Sequence, residues 1–519
     1  MKDKRNHKPF SFLIALLILC LMIGPCAPCV FAESADGYTY IADSAKKTAQ
    51  ITGYTGKSLT LTLPSKIAGL TVTSVKAEAF KGKDTILSVT IPDTITTLGN
   101  ECFAGCTLLG TFTLGSSVST IGSKAFSGCA VLTTITIPPT VSSIGAQAFS
   151  GCKMMTKITV DNGNLSYMSK DDALFNKAGT TLIRYPAARS GKSYKVPDSV
   201  TTIESYAFEG AKFVTEIDTG SSVSTIREGA FKDCIALEKI TISPKVTKLS
   251  DELFSGCKKL SSLNIPTKIT SIGASAFKGC TSISAVTIPD SVTAVGADAF
   301  SGCTGMRTVT VDKNLSVVSG VAFRGCSALS EFKLADGADF SVQDGALFSK
   351  DGTRLIVYPA GKTNSSYTVG DKVTTIGVYA FDSCSHLKKL IVPATVKTLA
   401  KPVIANCGNT VIYVDDGSAA MKYFKAETDG YSALKIGGED TTDEPDTKSS
   451  DGTGKPGDVN GDSKIDNADV ILLRRYVAKW KNVSIDKNVS DVNKDGALDN
   501  ADVILIRRYV AGWKNVTLK

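Results

Sequence analysis

The chain has 519 residues, 43% of them hydrophobic, and a formal net charge of +8. It is long enough to bury a large core, and its mild basicity argues against a nucleic-acid partner. Only two histidines occur, which leaves little room for a His-based triad, a His-rich zinc site or a facial triad. One of them, His7, lies in the first segment, and the other, His386 in CSHLKKL, reads as a surface residue.

Lys2, Lys4, Arg5 and Lys8 form a basic start, and an almost wholly apolar run follows from Phe10 to Ile23. Val30 and Ala32 then offer short side chains at −3 and −1. Residues 1–32 read as a secretory signal peptide cleaved after Ala32. The run is too short for a membrane-spanning helix, and no second one follows. Cys20, Cys26 and Cys29 lack the small preceding residue of a lipoprotein signal, so no lipid anchor is expected. Residues 33–70, including YTYIADSAKKTAQITGY, read as strands of an N-terminal cap.

A repeat fills residues 71–436. Phe80, Phe103, Phe126 and Phe149 are spaced by 23, as are Phe208, Phe231, Phe254, Phe277, Phe300 and Phe323, and Phe381 continues the series. A fixed period of this size means a solenoid, each unit burying its apolar face against its neighbours. Leu132-x-x-Ile135-x-Ile137 and Leu260-x-x-Leu263-x-Ile265 read as the short strand of the unit, ended by Pro138 and Pro266. AFSGC reads as a tight turn on the opposite wall with its Phe inside. The pattern resembles the BspA-like leucine-rich repeats from about Thr71 to Val414. That resemblance implies short parallel β-strands with turns and short helical segments. Ser, Thr or Asp follows the strand where the general leucine-rich pattern has Asn or Cys.

Ten cysteines fall at one repeat position, from Cys106 to Cys407, and Cys102 is out of register. Residues of one column stack about 5 Å apart with parallel Cα–Cβ vectors, poor geometry for a disulfide. A buried thiol column is the better reading. Two interruptions, 171–187 and 343–360, resemble each other and read as hairpin insertions around Ala178-Gly179 and Asp351-Gly352. One outward column reads Thr113, Thr136, Thr159, Thr241, Asn264, Thr287 and Thr310. Threonine suits a solvated strand, and the same hydroxyl array is the candidate ligand face for protein or glycan. After Val414, AAMKYFKAE suggests a capping helix.

Residues 437–456 are polar and acidic and read as a flexible linker. From Asp458 and again from Asp491 the chain repeats itself: DVNGDSKIDNADVILLRRYV, then DVNKDGALDNADVILIRRYV. Positions 1, 3, 5, 9 and 12 of each twelve-residue loop carry oxygen ligands. They are Asp458, Asn460, Asp462, Asp466 and Asp469, then Asp491, Asn493, Asp495, Asp499 and Asp502. Ca²⁺ needs six to eight oxygens, and this alternation turns them onto one ion. Position 7, Lys464 or Ala497, needs to supply only its carbonyl. Unlike an EF-hand, position 12 is Asp, position 6 of the first loop is Ser463, and no helix precedes the first loop. A helix follows each loop, with apolar Val470, Ile471, Leu473, Tyr476 and Val477 mirrored by Val503, Ile504, Ile506, Tyr509 and Val510.

Residues 457–519 resemble a type I dockerin, a small all-α module of two loop–helix units. The resemblance implies two Ca²⁺ ions and a cohesin partner on a scaffoldin or cell-surface protein. The contacts it implies fall on Asn467, Ala468, Arg474 and Arg475, and on Asn500, Ala501, Arg507 and Arg508. The halves are nearly interchangeable, so two docking orientations are plausible. The reading is a secreted, non-catalytic binding or adhesion protein held by Ca²⁺-dependent docking to a cellulosome-like scaffold or the cell surface. The solenoid presents its ligand face, and no nucleic acid or transmembrane anchor is involved. The alternatives are an accessory component or hydrolase of a polysaccharide-degrading complex, and a structural spacer. A glycosidase needs two carboxylates about 5–10 Å apart across a groove, and Asp161, Asp312 and Asp336 show no such pairing in sequence.

Overall fold

The computed structural model describes residues 31–33, 36–426, 431, 433–436, 455–460, 464–477, 485–510, 513 and 516–519. The expected signal peptide up to residue 30, most of the linker, Asp462 and Trp480 lie outside the described residues. So do the side chains of Asn467, Ala468 and Arg475. Two compact units divide the chain. The first covers residues 1–364, 372–387 and 398–407; the second covers 365–371, 388–397 and 408–519.

The first unit opens with a cap. Phe31–Glu33, which contains the expected cleavage point, pairs antiparallel with Tyr38–Asp43, and that strand pairs antiparallel with Thr48–Tyr54. Thr48–Tyr54 then pairs parallel with Leu70–Val75, where the hairpin gives way to the coil.

Each turn of the coil has three walls. The strand wall pairs residues 23 apart in parallel register, as in Ile135 with Ile158 and Val286 with Val309. Side chains alternate across it, so Ile135 and Ile137 are buried while Thr134 and Thr136 face solvent. A second wall of two-residue strands, such as Thr97–Leu98, Thr120–Ile121 and Ser143–Ile144, was not legible as strand in the sequence. Hydroxyls reinforce it. Ser119 Oγ donates to Thr96 O, and Thr293 Oγ1 donates to Thr270 O.

The third wall is built of turns. Phe103 N donates to Ala125 O at 2.9 Å, and Gly105 N to Ser127 O at 2.7 Å, and the pattern recurs down the coil. Gly is needed here because its φ is positive, and a Cβ on Gly151 would stand 3.1 Å from Gly128 N. Inside this wall the Phe rings stack nearly parallel, with centroids 5.1–5.4 Å apart from Phe208 to Phe323. Among the described residues the repeats themselves hold turns, and the helices lie after Gly417.

Both insertions are three-stranded. Tyr167–Lys170, Ala173–Asn176 and Thr181–Arg184 run antiparallel, matched by Phe340–Gln343, Ala346–Ser349 and Arg354–Val357. The last strand of each rejoins the second wall in parallel. Tyr185 and Tyr358 then take the Phe place. Their ring centroids lie 4.8 Å from Phe208 and 5.4 Å from Phe381.

In the second unit, Ser366–Thr368, Lys389–Val392, Val411–Val414 and Ala433–Ile436 form one parallel sheet. The expected capping helix is Ala419–Ala426, which buries Ala420 and Phe424. Beyond the linker, helices Asn467–Val477, Lys487–Ser490 and Asn500–Val510 enclose a small core that includes Val470, Leu473, Val492, Val503 and Ile506.

Candidate functional site

The second acidic loop is fully described. Asp502, wholly buried at the start of its helix, accepts from Val492 N at 3.0 Å and Asn493 N at 3.4 Å through Oδ1. Its Oδ2 accepts from Asp499 N at 3.1 Å. The carboxylate thus ties both ends of the loop to the helix. Asp491 Oδ2 accepts from Gly496 N at 3.0 Å, while Asp491 Oδ1 is buried with no hydrogen-bond partner. Asn493 and Asp495 bond to each other at 2.7 Å. Ala497 is exposed, as a position that supplies only its carbonyl allows.

The first loop repeats the anchor. Asp469, wholly buried, accepts from Asn460 N at 3.1 Å and Asp466 N at 2.8 Å, and Asp458 is buried beside Val459. Burial raises the Asp469 pKa above the usual carboxylate value. Lys464 is exposed. A buried, unpartnered carboxylate oxygen in an all-oxygen donor set fits a hard cation. Among the described residues no three His, Cys, Asp or Glu side chains already converge on one point.

Of the expected docking residues, Arg474, Asn500, Ala501, Arg507 and Arg508 are exposed. Ile504 and Tyr509 of the same helix are 47% and 44% exposed. Trp513 is exposed beside them, with the Arg508 guanidinium 5.3 Å over its ring. Val503 and Ile506 suffice to seal the small core, which leaves Ile504 and Tyr509 to solvent.

On the solenoid, Thr113, Thr136, Thr241, Asn264 and Thr287 are exposed and Thr159 and Thr310 half-buried. They do not form one continuous array. Thr136 pairs with Thr159, and Thr287 with Thr310, in separate sheets. Asp218 and Lys195 share the column with Thr241, Lys333 follows Thr310, and Asn264 belongs to no strand.

All eleven described cysteines are buried and outside any disulfide. Cys280 Sγ donates to Phe254 O at 3.1 Å, and the same bond to the Phe 26 residues earlier recurs from Cys106 to Cys326. The thiol is therefore a weak donor matched to a buried carbonyl.

Two carboxylates escaped the sequence reading. In regular turns the Gly N–H bonds a carbonyl in the next unit, but each insertion breaks that ladder. Gly151 N donates instead to Glu209 Oε2 at 3.1 Å, and Gly325 N to Asp382 Oδ2 at 2.7 Å. Ser150 Oγ also donates to Glu209, with Arg184 3.7 Å away, while Asn406 Nδ2 donates to Asp382. The signal was present. After the column Phe, the residue is acidic only at Glu209 and Asp382, in the units that follow the insertions.

A family model described as BspA type leucine rich repeat region matches residues 73–190, 187–306, 248–363 and 359–423. A model described as dockerin type I domain matches 456–511. No curated protein matches significantly. Among solved structures, a leucine rich cell surface protein from Faecalibacterium prausnitzii is 25% identical, with 60% of this chain and 96% of that chain covered and a TM-score of 0.40. A leucine-rich repeat protein from Eubacterium ventriosum is 21% identical over 60% of this chain and 92% of that one, with a TM-score of 0.47. One from Bacteroides ovatus is 20% identical over 78% and 100%, with a TM-score of 0.43. No helix among the described residues is long and apolar enough to cross a membrane. The chain belongs to the BspA type leucine-rich repeat family and carries a type I dockerin domain at its C-terminal end.

Proposed function

We propose that this is a secreted, non-catalytic binding protein, held on a cohesin-bearing scaffold or cell surface by its Ca²⁺-loaded dockerin, with the solenoid presenting the ligand surface. The observation that carries the reading is the duplicated acidic loop. Both copies bury the position-12 Asp as a backbone anchor, and the second leaves Asp491 Oδ1 without a partner. Asp458, Asn460, Asp462, Asp466 and Asp469 would hold one ion, with the Lys464 carbonyl. Asp491, Asn493, Asp495, Asp499 and Asp502 would hold the other, with the Ala497 carbonyl. Ca²⁺ when bound supplies the positive charge that gathers these oxygens. The exposed Arg474, Arg507 and Arg508, with Ile504, Tyr509 and Trp513, offer a cohesin both charge and apolar contact.

Neither matched family is catalytic. The test is to capture the full chain on immobilised cohesins in Ca²⁺ and probe it with glycan and protein arrays, with hydrolysis assays alongside. Binding without turnover supports the reading. Polysaccharide hydrolysis that disappears on changing a single carboxylate would replace it with the enzyme alternative.

A further inference from the structure

The strand wall is open after Lys239–Thr241, as it is also between Thr111–Thr113 and Thr134–Ile137. Lys239–Thr241 pairs with Glu216–Asp218 on one side, and Ala285–Ile288 pairs with Thr308–Val311 further on. Between them, the segment from Ser262 to Ile265 makes a single isolated bridge, Ser262 to Lys239, and no ladder. The other walls run unbroken through the same turn. Lys248–Leu249 pairs with Ser271–Ile272, Phe254 N donates to Ala276 O at 2.7 Å, and the Phe254 and Phe277 rings stack at 5.3 Å. At this turn the opening is thus confined to the strand wall.

Its chemistry follows from what the ladder leaves undone. Val196 N donates to Asp218 O, and Thr219 N to Thr241 O, but Ile242, next in that series, makes no such bond to Asn264. A cavity of about 460 Å³ fills the opening, with buried Ile240, Ile242 and Ile265 on its floor and exposed Lys239, Asn264 and Lys268 at its rim. That volume lies within the range of ligand sites. Neighbouring strands centre on Ile217, Ile240, Val286 and Val309, while this segment has Leu263 followed by Asn264. Both are poorer strand formers than β-branched residues.

We infer that the opening is a groove for an extended acidic peptide from a partner protein, which adds as a short strand beyond the Lys239–Ser262 bridge, where the Ile242 N–H lacks the bond of the regular ladder. An unpaired edge presents main-chain donors and acceptors that match another main chain, and alternate side chains of the guest would reach the apolar floor. Lys239 is paired with Glu216 at 2.7 Å. Lys268 has no carboxylate partner among the described residues, so the rim favours acidic side chains. The inference rests on the solenoid as a binding surface and narrows it to one repeat and one ligand class.

The experiment titrates short end-capped peptides into the full chain, alternating valine with glutamate. Valine–lysine peptides and a panel of oligosaccharides serve as controls. Leu263→Ile with Asn264→Thr restores regular strand residues and closes the ladder, and Lys268→Glu reverses the rim charge. The acidic peptide should bind the wild type and lose about tenfold or more in affinity in either variant, the scale of one lost hydrogen-bonded pair. The Ile242 amide should exchange fast in the free chain and slow when peptide is added. No acidic-peptide binding, binding unchanged by the double substitution, or an Ile242 amide already as protected as that of Thr219 overturns the groove. Oligosaccharide binding without peptide binding overturns it while leaving the solenoid as a binding surface, whereas binding of neither probe fails both. Far-UV circular dichroism and an unchanged urea midpoint report that the solenoid of each variant is folded.

Discussion

At the scale of single residues, the cysteine column is explained by burial and one weak bond. Each thiol fills a small apolar space, and from Cys106 to Cys326, and again at Cys407, it donates to the carbonyl of a buried Phe, while Cys384 turns to Asp382 O. Burial pushes the Cys106 thiol up to about 11 and those of Cys152 and Cys280 up to about 12, from an ordinary value of 9.0. The native thiols should therefore resist a thiol-specific maleimide and react fully once the chain is unfolded in denaturant; rapid native labelling would contradict the burial. The linkage has a sign. Unfolded thiols lose protons above about pH 9, whereas folded ones keep theirs. Their contribution to stability is complete below pH 9 and is lost as pH climbs toward 12. The urea midpoint should fall over that window, and less steeply in Cys280→Ala. The two splice carboxylates make a second prediction. Asp382→Ala leaves the Gly325 N–H without its acceptor and should cost about 1–3 kcal/mol in urea unfolding. Asp382→Asn, which keeps an acceptor, should cost less. These acids stood out in sequence only as the two acidic residues following a column Phe. Their role needed the insertions to be seen as breaks in a hydrogen-bond ladder.

At the scale of elements, the 23-residue period was legible because a bulky ring must recur at the same place in every turn to fill the coil. Phe277 stacks between Phe254 and Phe300 and is wholly buried. Phe277→Ala should cost about 3–5 kcal/mol. Because units of a solenoid touch only their neighbours, the loss of hydrogen-exchange protection should centre on the flanking turns; a uniform loss along the coil would contradict this. The second wall was not legible. Its strands are two residues long and rich in Ser and Thr, too short to show alternation. Leu260 to Ile265 misled in the other direction, since its apolar spacing matches a strand but Leu263 and Asn264 do not hold the ladder. The threonine column was legible as outward-facing. Its breaks at Asp218, Lys195 and Lys333 became visible only through the register of the sheets. In the dockerin, Ile504 and Tyr509 were legible as apolar members of the helix, and their exposure became visible only in the structure.

At the scale of the whole chain, the account joins a repeat that binds to a module that docks. The acidic loops stand out in the sequence because oxygen-bearing side chains recur at positions 1, 3, 5, 9 and 12 of both copies. The backbone bonds of Asp469 and Asp502 were not legible there, since they depend on how each loop folds onto its helix. Asp502→Ala removes that anchor together with a proposed ligand, and should weaken Ca²⁺ binding by about tenfold or more at the second loop. The most direct measurement titrates Ca²⁺ into the chelator-treated full chain, following tryptophan fluorescence and cohesin capture in parallel. The account predicts that both rise together, that capture reverses on adding chelator, and that Asp502→Ala shifts both curves to higher Ca²⁺. Cohesin capture indifferent to chelator, or a flat titration with no capture by any cohesin, would contradict it.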